Sequence, residues 1–571
     1  MQCEVGVVLI IILAYLIFPG NVYMSDFLKI LKDNIILSDN GIIGILESYI
    51  RANKEIHGVL VLSGNKTYGK VKKRFLYKCI PDDMRLPSFL IPFEIKSIGF
   101  SKIFKNKYIS FVFSSWESKN PHGRINQNFG DSDNLINFYE YQLSCKGLNV
   151  TNSTFSKKTY EAIKSLINSK DTDVIEHIVQ RSPDIYDRTN LYVFSIDPPN
   201  SRDFDDAFSI QSISDDKFIV SVYISNVTSV IDILDLWTSF SERISTIYLP
   251  ESKRTMLPSI LSDSICSLQE NEKRVAFVMD LTICGGNIED IAFLNAGIIV
   301  QKNYEYEEKY LLENPDYKSL FLVVKELCKR KPYIKNLKDS HDMVAYLMVL
   351  MNHHCAQKMK QYKTGIFRST MITKCKKSCD TEMQHANIPS NVKDFITIYN
   401  SGNRGHYIRG DSLNSDEDAI HAILELDAYI HITSPIRRIV DLLNMIALQH
   451  ILGLGNLSNH ASKFYESWLE KIDLINKTTQ SIKKVQMDCN LLDLCNRDMH
   501  VLNNTYKGFI FNKTIHSSFG QFLYIVYISD INMTSQIIST REFDNFQAVQ
   551  LKLYIFNDEN RLKKKIRIMI V

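Results

Sequence analysis

The 571-residue chain lacks an excess of either charge, because 67 lysine and arginine residues stand against 64 aspartate and glutamate residues. A formal net charge of +3 excludes a chain-wide attraction to nucleic acid, so any such attraction must come from local clusters. The chain also lacks internal repeats and long low-complexity stretches, which excludes a repeat architecture. At roughly 150 residues per domain, its length predicts three to four domains.

Long apolar runs are scarce. The longest, Val5 to Phe18, is too short for a membrane span and lacks the positive flank of a secretory signal. We therefore expect a buried helix or strand here, with a membrane or targeting segment as the alternative. The expected compartment is the cytoplasm, with the nucleus as the alternative, and membrane association is not expected.

Paired cysteines are lacking as well, because the 11 cysteines are an odd number scattered from Cys3 to Cys495. Such dispersed thiols are typical of a reducing compartment. Cys375, Cys379 and His385 lie close in sequence, but no second thiol pair completes a zinc site. The favoured interpretation is ordinary reduced cysteines.

Short apolar runs bounded by turn residues occupy both ends of the chain. Gly58 to Leu62, followed by Ser63 to Asn65, predicts small-barrel β structure. From about residue 185 to 500 strand patterns give way to helical ones, which predicts a large α/β body. The expected fold class is therefore multidomain α+β, with small β-barrels flanking that body.

A basic and aromatic stretch follows the first strand run. Lys72, Lys73 and Arg74 are interleaved with Tyr68 and Phe75. The pattern fits equally a solvated strand face and an RNA-contacting face, where cations bind phosphate and aromatic rings stack on bases.

Four carboxylates, those of Asp197, Asp203, Asp205 and Asp206, fall within ten residues between two predicted strands. Their repulsion is costly unless cations lie among them, and hard oxygen ligands suit Mg²⁺ or Mn²⁺. Two such ions about 4 Å apart can clamp a phosphodiester during hydrolysis. In an extended segment Asp203 and Asp205 would share one face and Asp206 would point away. On the cluster alone, an acidic solvated turn is the favoured alternative.

A second polar motif lies near the end of the α/β body. Pro435 suits the first turn of a helix, with Thr433 or Ser434 as its cap. The free N–H groups of that helix end, together with Arg437 and Arg438, would bind phosphate. A surface salt bridge is the alternative for an isolated arginine pair.

Together these residues resemble the ribonuclease II / ribonuclease R family, which includes the catalytic subunit of the eukaryotic exosome. The two signatures of that family are similar to residues 196–207 and to residues 433–442. Further matches fall between them in the family's order: Ser245 to Pro250, Met256 to Pro258, Leu261-Ser262, Cys266 to Leu268, Arg274, Tyr306 to Glu308, Asn352 and Phe367-Arg368.

The flanks and departures refine this resemblance. Residues 75–131 resemble cold-shock domains, and the tail from Tyr506 is similar to a divergent S1 barrel; both are OB-type folds. No stretch is left for the exosome subunit's N-terminal endonuclease domain, so docking to an exosome is not expected. The chain departs from the family pattern at four positions: Tyr223, Asn226, Ile439 and Met445.

The resemblance implies a 3′-to-5′ exoribonuclease that hydrolyses single-stranded RNA to nucleoside 5′-monophosphates and acts as a monomer. The alternatives are a catalytically weak or inactive RNA-binding protein and a membrane-attached RNA-processing factor. The carried-over roles are catalysis by Asp205 and Arg437, two Mg²⁺ ions (Mn²⁺ as substitute) on Asp197, Asp203, Asp205 and Asp206, and RNA binding by Tyr248, Tyr306, Arg368, Arg438, Lys72, Lys73 and Arg74.

The resemblance also sets the expected domain boundaries. They are an N-terminal segment at 1–40, a truncated cold-shock-like unit at 41–88, a second cold-shock-like OB domain at 89–150, a helical linker at 151–184, the RNB catalytic domain at 185–500 and an S1-like OB domain at 501–571.

Overall fold

A computed structural model describes most of the chain. The described residues are 35–37, 43–45, 55–95, 104–116, 119–170, 173–182, 184–334, 337–370, 388–400, 405–413, 419–421, 424–455, 457–516, 521–558 and 562–571. Val5 to Phe18 and the Cys375, Cys379 and His385 group lie outside these residues. In the described part of the chain, no helix is both long and apolar enough to cross a bilayer.

The strands are numbered in chain order. They are β1 Ile35–Leu37, β2 Ile43–Ile45, β3 Ile56–Leu60, β4 Lys70–Val71, β5 Arg74–Pro81, β6 Phe89–Phe93, β7 Lys107–Ser115, β8 His122–Asp131, β9 Tyr186–Asp187, β10 Val193–Asp197, β11 Asp206–Ser214, β12 Lys217–Ser225, β13 Ile247–Tyr248, β14 Lys253–Arg254, β15 Lys273–Cys284, β16 Asn287–Glu305, β17 Ile366–Ser369, β18 His406–Arg409, β19 Thr505–His516, β20 Gln521–Ile528, β21 Met533–Ser539, β22 Ala548–Asp558 and β23 Lys563–Ile570.

The α-helices are numbered in the same way. They are α1 Leu135–Cys145, α2 Ser153–Lys170, α3 Val174–Arg181, α4 Val227–Ile233, α5 Lys309–Glu313, α6 Pro315–Arg330, α7 Ser340–Gln361, α8 Ser390–Asn400, α9 Ile439–Leu452, α10 Asn459–Leu469, α11 Ile472–Arg497 and α12 Met499–Asn503.

The chain divides into two units. The first comprises Met1–Asn149, Met487–Tyr506 and Gln550–Val571, and the second comprises Val150–Gln486 and Lys507–Val549. One boundary between the units falls between Asn149 and Val150. The helical pattern predicted just after it is present as α2 and α3.

The first unit contains a closed β-barrel. Its strands follow the order β3-β7-β8-β6-β5-β4, and β3 also pairs with β5, which closes the ring. The interior is apolar and includes Tyr77, Phe89 and Phe111. Because β5 pairs directly with β6, the predicted boundary between residues 88 and 89 is wrong. Each range alone leaves unpaired strand edges, and only the strands of both ranges close the barrel.

The second unit is built around another closed sheet. Its order is β10-β11-β12-β15-β16-β9, and a parallel pairing of β10 with β16 closes it. The strands carry buried side chains on both faces, such as Phe208 and Phe277 on one and Ala207 and Val278 on the other. A sheet covered on both sides reads in the sequence as nearly continuous apolar runs.

Helices α6, α7 and α9 contribute to the core of the second unit. Helix α6 begins where Asn314 accepts a hydrogen bond from the Tyr317 N–H and Pro315 occupies the first turn. Helix α9 is buried along most of its length and ends at Gly453, which adopts φ 65°. In the tail of the chain, β19 and β20 share a second apolar cluster with α8.

Candidate active site

The end of β10 and the start of β11 carry the four carboxylates of the acidic motif. Phe194 of β10 faces Phe208 of β11 in an antiparallel pair, and Asp197 lies beside Glu305 of β16. Buried Ser267 fixes the intervening loop by donating to the Arg202 carbonyl and accepting from the Phe204 N–H. Closure of the sheet therefore gathers the acids at one end of the barrel, where β10 ends and β11 begins.

Two of these acids have cationic partners. Asp203 accepts hydrogen bonds from Lys253 Nζ at 2.8 Å and from the Tyr248 hydroxyl at 3.1 Å. Asp205, whose side chain is 2% exposed, lies 2.9 Å from Arg437 Nε through Oδ2. That N–H is not directed at the oxygen, so the contact is an ion pair without a hydrogen bond. Burial raises the pKa of Asp205 to about 7, although Arg437 and the Ile436 N–H oppose the rise.

The other two acids, Asp197 and Asp206, form no ion pair among the residues that the structure describes, although Arg437 partly offsets the rise in their pKa values. Oδ2 of Asp197 is buried and accepts no hydrogen bond from the described residues. Burial raises the pKa of Asp197 and of Asp206, and the negative charge of each neighbouring acid adds to the effect. Residues 201–205 have no regular secondary structure, so the strand alternation behind the predicted orientations of Asp203, Asp205 and Asp206 does not apply there.

The arginine segment differs from its prediction. Residues 435–437 form a turn, and the helix begins only at Ile439. Ser434 donates its N–H to buried Asp441, and Ile436 donates its N–H to Asp205 at 3.0 Å. The capping role predicted for Thr433 or Ser434 is therefore wrong. These two N–H groups donate to carboxylates of the chain rather than to a phosphate.

The carboxylate oxygens at this end of the barrel fit one divalent cation, held by Asp197 and Asp206. Two buried carboxylates that repel each other need a compensating charge, and oxygen ligands suit Mg²⁺. In the part of the chain that the structure describes, no three His, Cys, Asp or Glu side chains are already arranged as metal ligands. A second ion would have to displace Lys253 from Asp203 and Arg437 from Asp205.

The two predicted stacking residues lie beside the acids. Tyr248 is 39% exposed and its hydroxyl reaches Asp203. The Tyr306 N–H donates to the carbonyl of Asp197 at 3.2 Å. One face of the Tyr306 ring stacks on His341, with ring centroids 3.6 Å apart and planes 10° apart. A base could therefore stack only on its other face.

Sequence reasoning missed His341 and Lys253. The neighbours of each in sequence carry no motif that marks it, and each reaches the site only through the fold. A basic residue and an imidazole on separate elements give no spacing signal.

The remaining predicted RNA-binding residues fall in two places. Arg368 and Arg438 lie in the second unit, where Arg368 covers the ring of Tyr407 and Arg438 pairs with Asp441. The other three are exposed in the first unit: Lys72 and Lys73 form the turn between β4 and β5, and Arg74 begins β5.

The four departures from the family pattern are buried in the core. The Tyr223 hydroxyl forms a hydrogen bond with Ser209, and Asn226 caps α4 while donating to Asn295. Ile439 and Met445 pack in helix α9. The polar substitutes are therefore hydrogen-bonded within the fold.

The chain was compared with known proteins. The family model described as RNB domain matches residues 185–319 and 309–453. Ribonuclease R of Chlamydia pneumoniae is 23% identical over 356 residues, covering 52% of this chain and 53% of that protein. The chain thus spans about half the length of the curated relatives it matches.

Solved structures match over most of the chain. Mycoplasma genitalium RNase R, in complex with ribose methylated single-stranded RNA, gives a TM-score of 0.67 at 18% identity and covers 94% of this chain and 93% of its own. Yeast Ssd1, described as a pseudonuclease, gives 0.58 at 14% identity, with coverage of 87% and 66%. Identities this low show the fold alone. The two structural matches confirm the predicted fold class, a multidomain α+β chain with OB-type barrels and a central α/β domain.

Proposed function

We propose that this chain is a 3′-to-5′ exoribonuclease acting on single-stranded RNA, on the basis of the RNB domain model that matches residues 185–453. Its products are nucleoside 5′-monophosphates. It acts as a monomer in the cytoplasm, without docking to an exosome or a membrane. The observation that carries this proposal is a buried carboxylate pair, Asp197 and Asp206, which has no ion pair among the described residues and whose raised pKa values nearby Arg437 only partly offsets.

Asp197 and Asp206 hold a Mg²⁺ ion, with Mn²⁺ as an alternative, and Asp203 and Asp205 complete a second ion site. When bound, such ions activate water and stabilise a departing alkoxide. The side chain of Arg437 is 44% exposed, so its guanidinium can also reach solvent and a phosphate. In that position it neutralises the charge that grows on the scissile phosphate, a contribution typically worth about 3 kcal/mol.

The aromatic side chains orient the strand. Tyr248 stacks on a base near the 3′ end, and Tyr306, supported by His341 from behind, holds the terminal nucleotide. Aromatic rings stack on bases of any sequence, which suits stepwise removal of nucleotides. A splayed single strand can present its bases to these rings, whereas a duplex cannot.

The experiment incubates 5′-labelled RNA with Mg²⁺ and the full chain, its Asp205→Asn variant and a control, Asp215→Asn, at an exposed turn. The parent and the control should produce a ladder of products shortened one nucleotide at a time. Asp205→Asn should leave the RNA intact. Discrete internal cuts, or no cleavage by the parent, would contradict the proposal.

A second candidate function is RNA binding without catalysis. It is favoured by the pairing of Asp203 and Asp205 with Lys253 and Arg437, which leaves two acids free for metal instead of four. This candidate predicts tight binding of single-stranded RNA by the parent chain with no cleavage at any Mg²⁺ concentration. The same labelled RNA, followed by gel shift, separates the two candidates.

A further inference from the structure

A small cavity opens in the second unit beside Arg438. Its volume is about 180 Å³. Its polar lining includes Arg368, Arg438, Lys483, His431 and Ser245. Ligand pockets usually measure about 300 Å³ or more, so this one suits a single small group.

The lining is unbalanced in charge. Of its three cations, only Arg438 has an anionic partner among the described residues, namely Asp441 at 2.7 Å. Arg368 lies 4.7 Å above the ring of Tyr407, and Lys483 has no ion pair within the described part of the chain. Three cations with a single carboxylate repel one another unless an anion joins them.

Two further observations indicate an anion. Nε of Arg438 is buried and donates no hydrogen bond to the described residues, which leaves a charged donor unsatisfied. Burial and the mutual repulsion of the cations lower the pKa of Lys483 and of Arg368. An anion in the cavity would accept a hydrogen bond from Arg438 Nε and would offset the repulsion among the cations.

The cavity is organised by its neighbours. The Tyr407 hydroxyl and His431 Nδ1 form a hydrogen bond of 2.8 Å, and burial lowers the pKa of His431 well below its usual range. His431 is therefore neutral and adds no charge. Ser245 forms an isolated bridge with Arg438, the residue directly after Arg437. Arg438, which lines the cavity, therefore follows directly after Arg437, whose guanidinium contacts Asp205.

We propose that this cavity binds a single phosphate group, held by Arg368, Arg438 and Lys483. Two guanidinium groups and one ammonium match the several acceptor oxygens of a tetrahedral anion better than the two oxygens of a carboxylate. The phosphate comes from a nucleotide of the RNA strand or from free phosphate. The first source rests on the proposed function, whereas the phosphate chemistry does not.

The test uses the full chain without Mg²⁺, at constant ionic strength, titrated with inorganic phosphate and followed calorimetrically. Phosphate should bind saturably, and acetate should bind more weakly. Lys483→Met should weaken phosphate binding about tenfold, because it removes one charged donor. The matched control is Lys484→Met, since both lysines lie on α11 and only Lys483 lines the cavity. No saturable binding, or equal affinities for the two variants, would overturn the proposal.

Competition identifies the source. An uncleaved RNA oligomer is added to the phosphate-bound chain. If the oligomer displaces phosphate, and if one methylphosphonate linkage at a single position removes this ability, the site binds a phosphate of the strand. Phosphate that binds alongside RNA assigns it to free phosphate. Both results support the phosphate site. Because phosphate binding needs neither Mg²⁺ nor cleavage, a chain inactive on RNA that still binds phosphate would contradict only the proposed function.

Discussion

Asp203 and Asp205 differ from Asp197 and Asp206 in their surroundings, although all four occupy ten consecutive residues. The first pair is matched by Lys253 and Arg437, which come from distant parts of the chain. The second pair is buried and has no ion pair among the described residues, although Arg437 lies near enough to offset part of the rise in both pKa values. Residue type and spacing are shared, so the difference arises only from what the fold brings beside each acid. The second pair is the stronger candidate for a resident ion.

The largest effect should come from Asp206→Asn, which removes one acid of the unmatched pair. We expect both Mg²⁺ binding and RNA cleavage to be lost, because one ligand of the ion is gone. Asp205→Asn should abolish cleavage yet keep one Mg²⁺ site at Asp197 and Asp206. Calorimetric titration of both variants with Mg²⁺ distinguishes them. Equal loss of binding in both would remove the distinction between the pairs.

Arg437→Gln should lower cleavage by about 100- to 1,000-fold, because charge on the phosphate is no longer neutralised. Mg²⁺ affinity should stay the same or rise, since a competing cation has left the acids. Exposed Arg181 provides the control as Arg181→Gln. A large loss of Mg²⁺ affinity in Arg437→Gln would mean that the arginine maintains the metal ligands.

The pH dependence of stability should reveal the raised pKa values. Folding raises the pKa of Asp205 from 3.8 to about 7, so between these values the folded chain holds a proton that the unfolded chain has lost. This contribution to stability is complete below about pH 4 and is lost as the pH rises through 7.

Without Mg²⁺, the melting temperature should therefore fall by a few degrees between pH 5.5 and pH 8, and Mg²⁺ should restore more stability at pH 8. Thermal melts with EDTA and with Mg²⁺ at both pH values provide the measurement. A Mg²⁺ effect that is larger at pH 5.5 would contradict the assignment.

The smallest effect should come from Lys253→Met. The substitution frees Asp203 and Asp263 from their shared ammonium and should destabilise the metal-free chain by about 1–2 kcal/mol. Mg²⁺ should then bind a few-fold more tightly, because Asp203 can join the site. Lys309→Met, at a lysine whose side chain is 81% exposed, is the control. Weaker Mg²⁺ binding would instead make Lys253 part of the support for the ion.

Much of the plan of the fold follows from sequence patterns. The predicted β structure near Gly58, the change from strands to helices between about residues 185 and 500 and the β tail are all present. Two predictions failed where long-range partners override local pattern. The boundary at residue 88 cuts a barrel that only distant strands can close, and the expected cap at Ser434 gives way to its hydrogen bond with Asp441.

The sequence by itself determined the acidic motif, the arginine pair and the resemblance that links them, because each is a short run of residue types at fixed spacing. Only the tertiary structure decided which acids are neutralised, that His341 supports Tyr306, and that Arg368, Arg438 and Lys483 line one cavity. These juxtapositions depend on barrel closure and helix packing. Electrostatic energies fall off with distance in space, and separation along the chain does not report that distance.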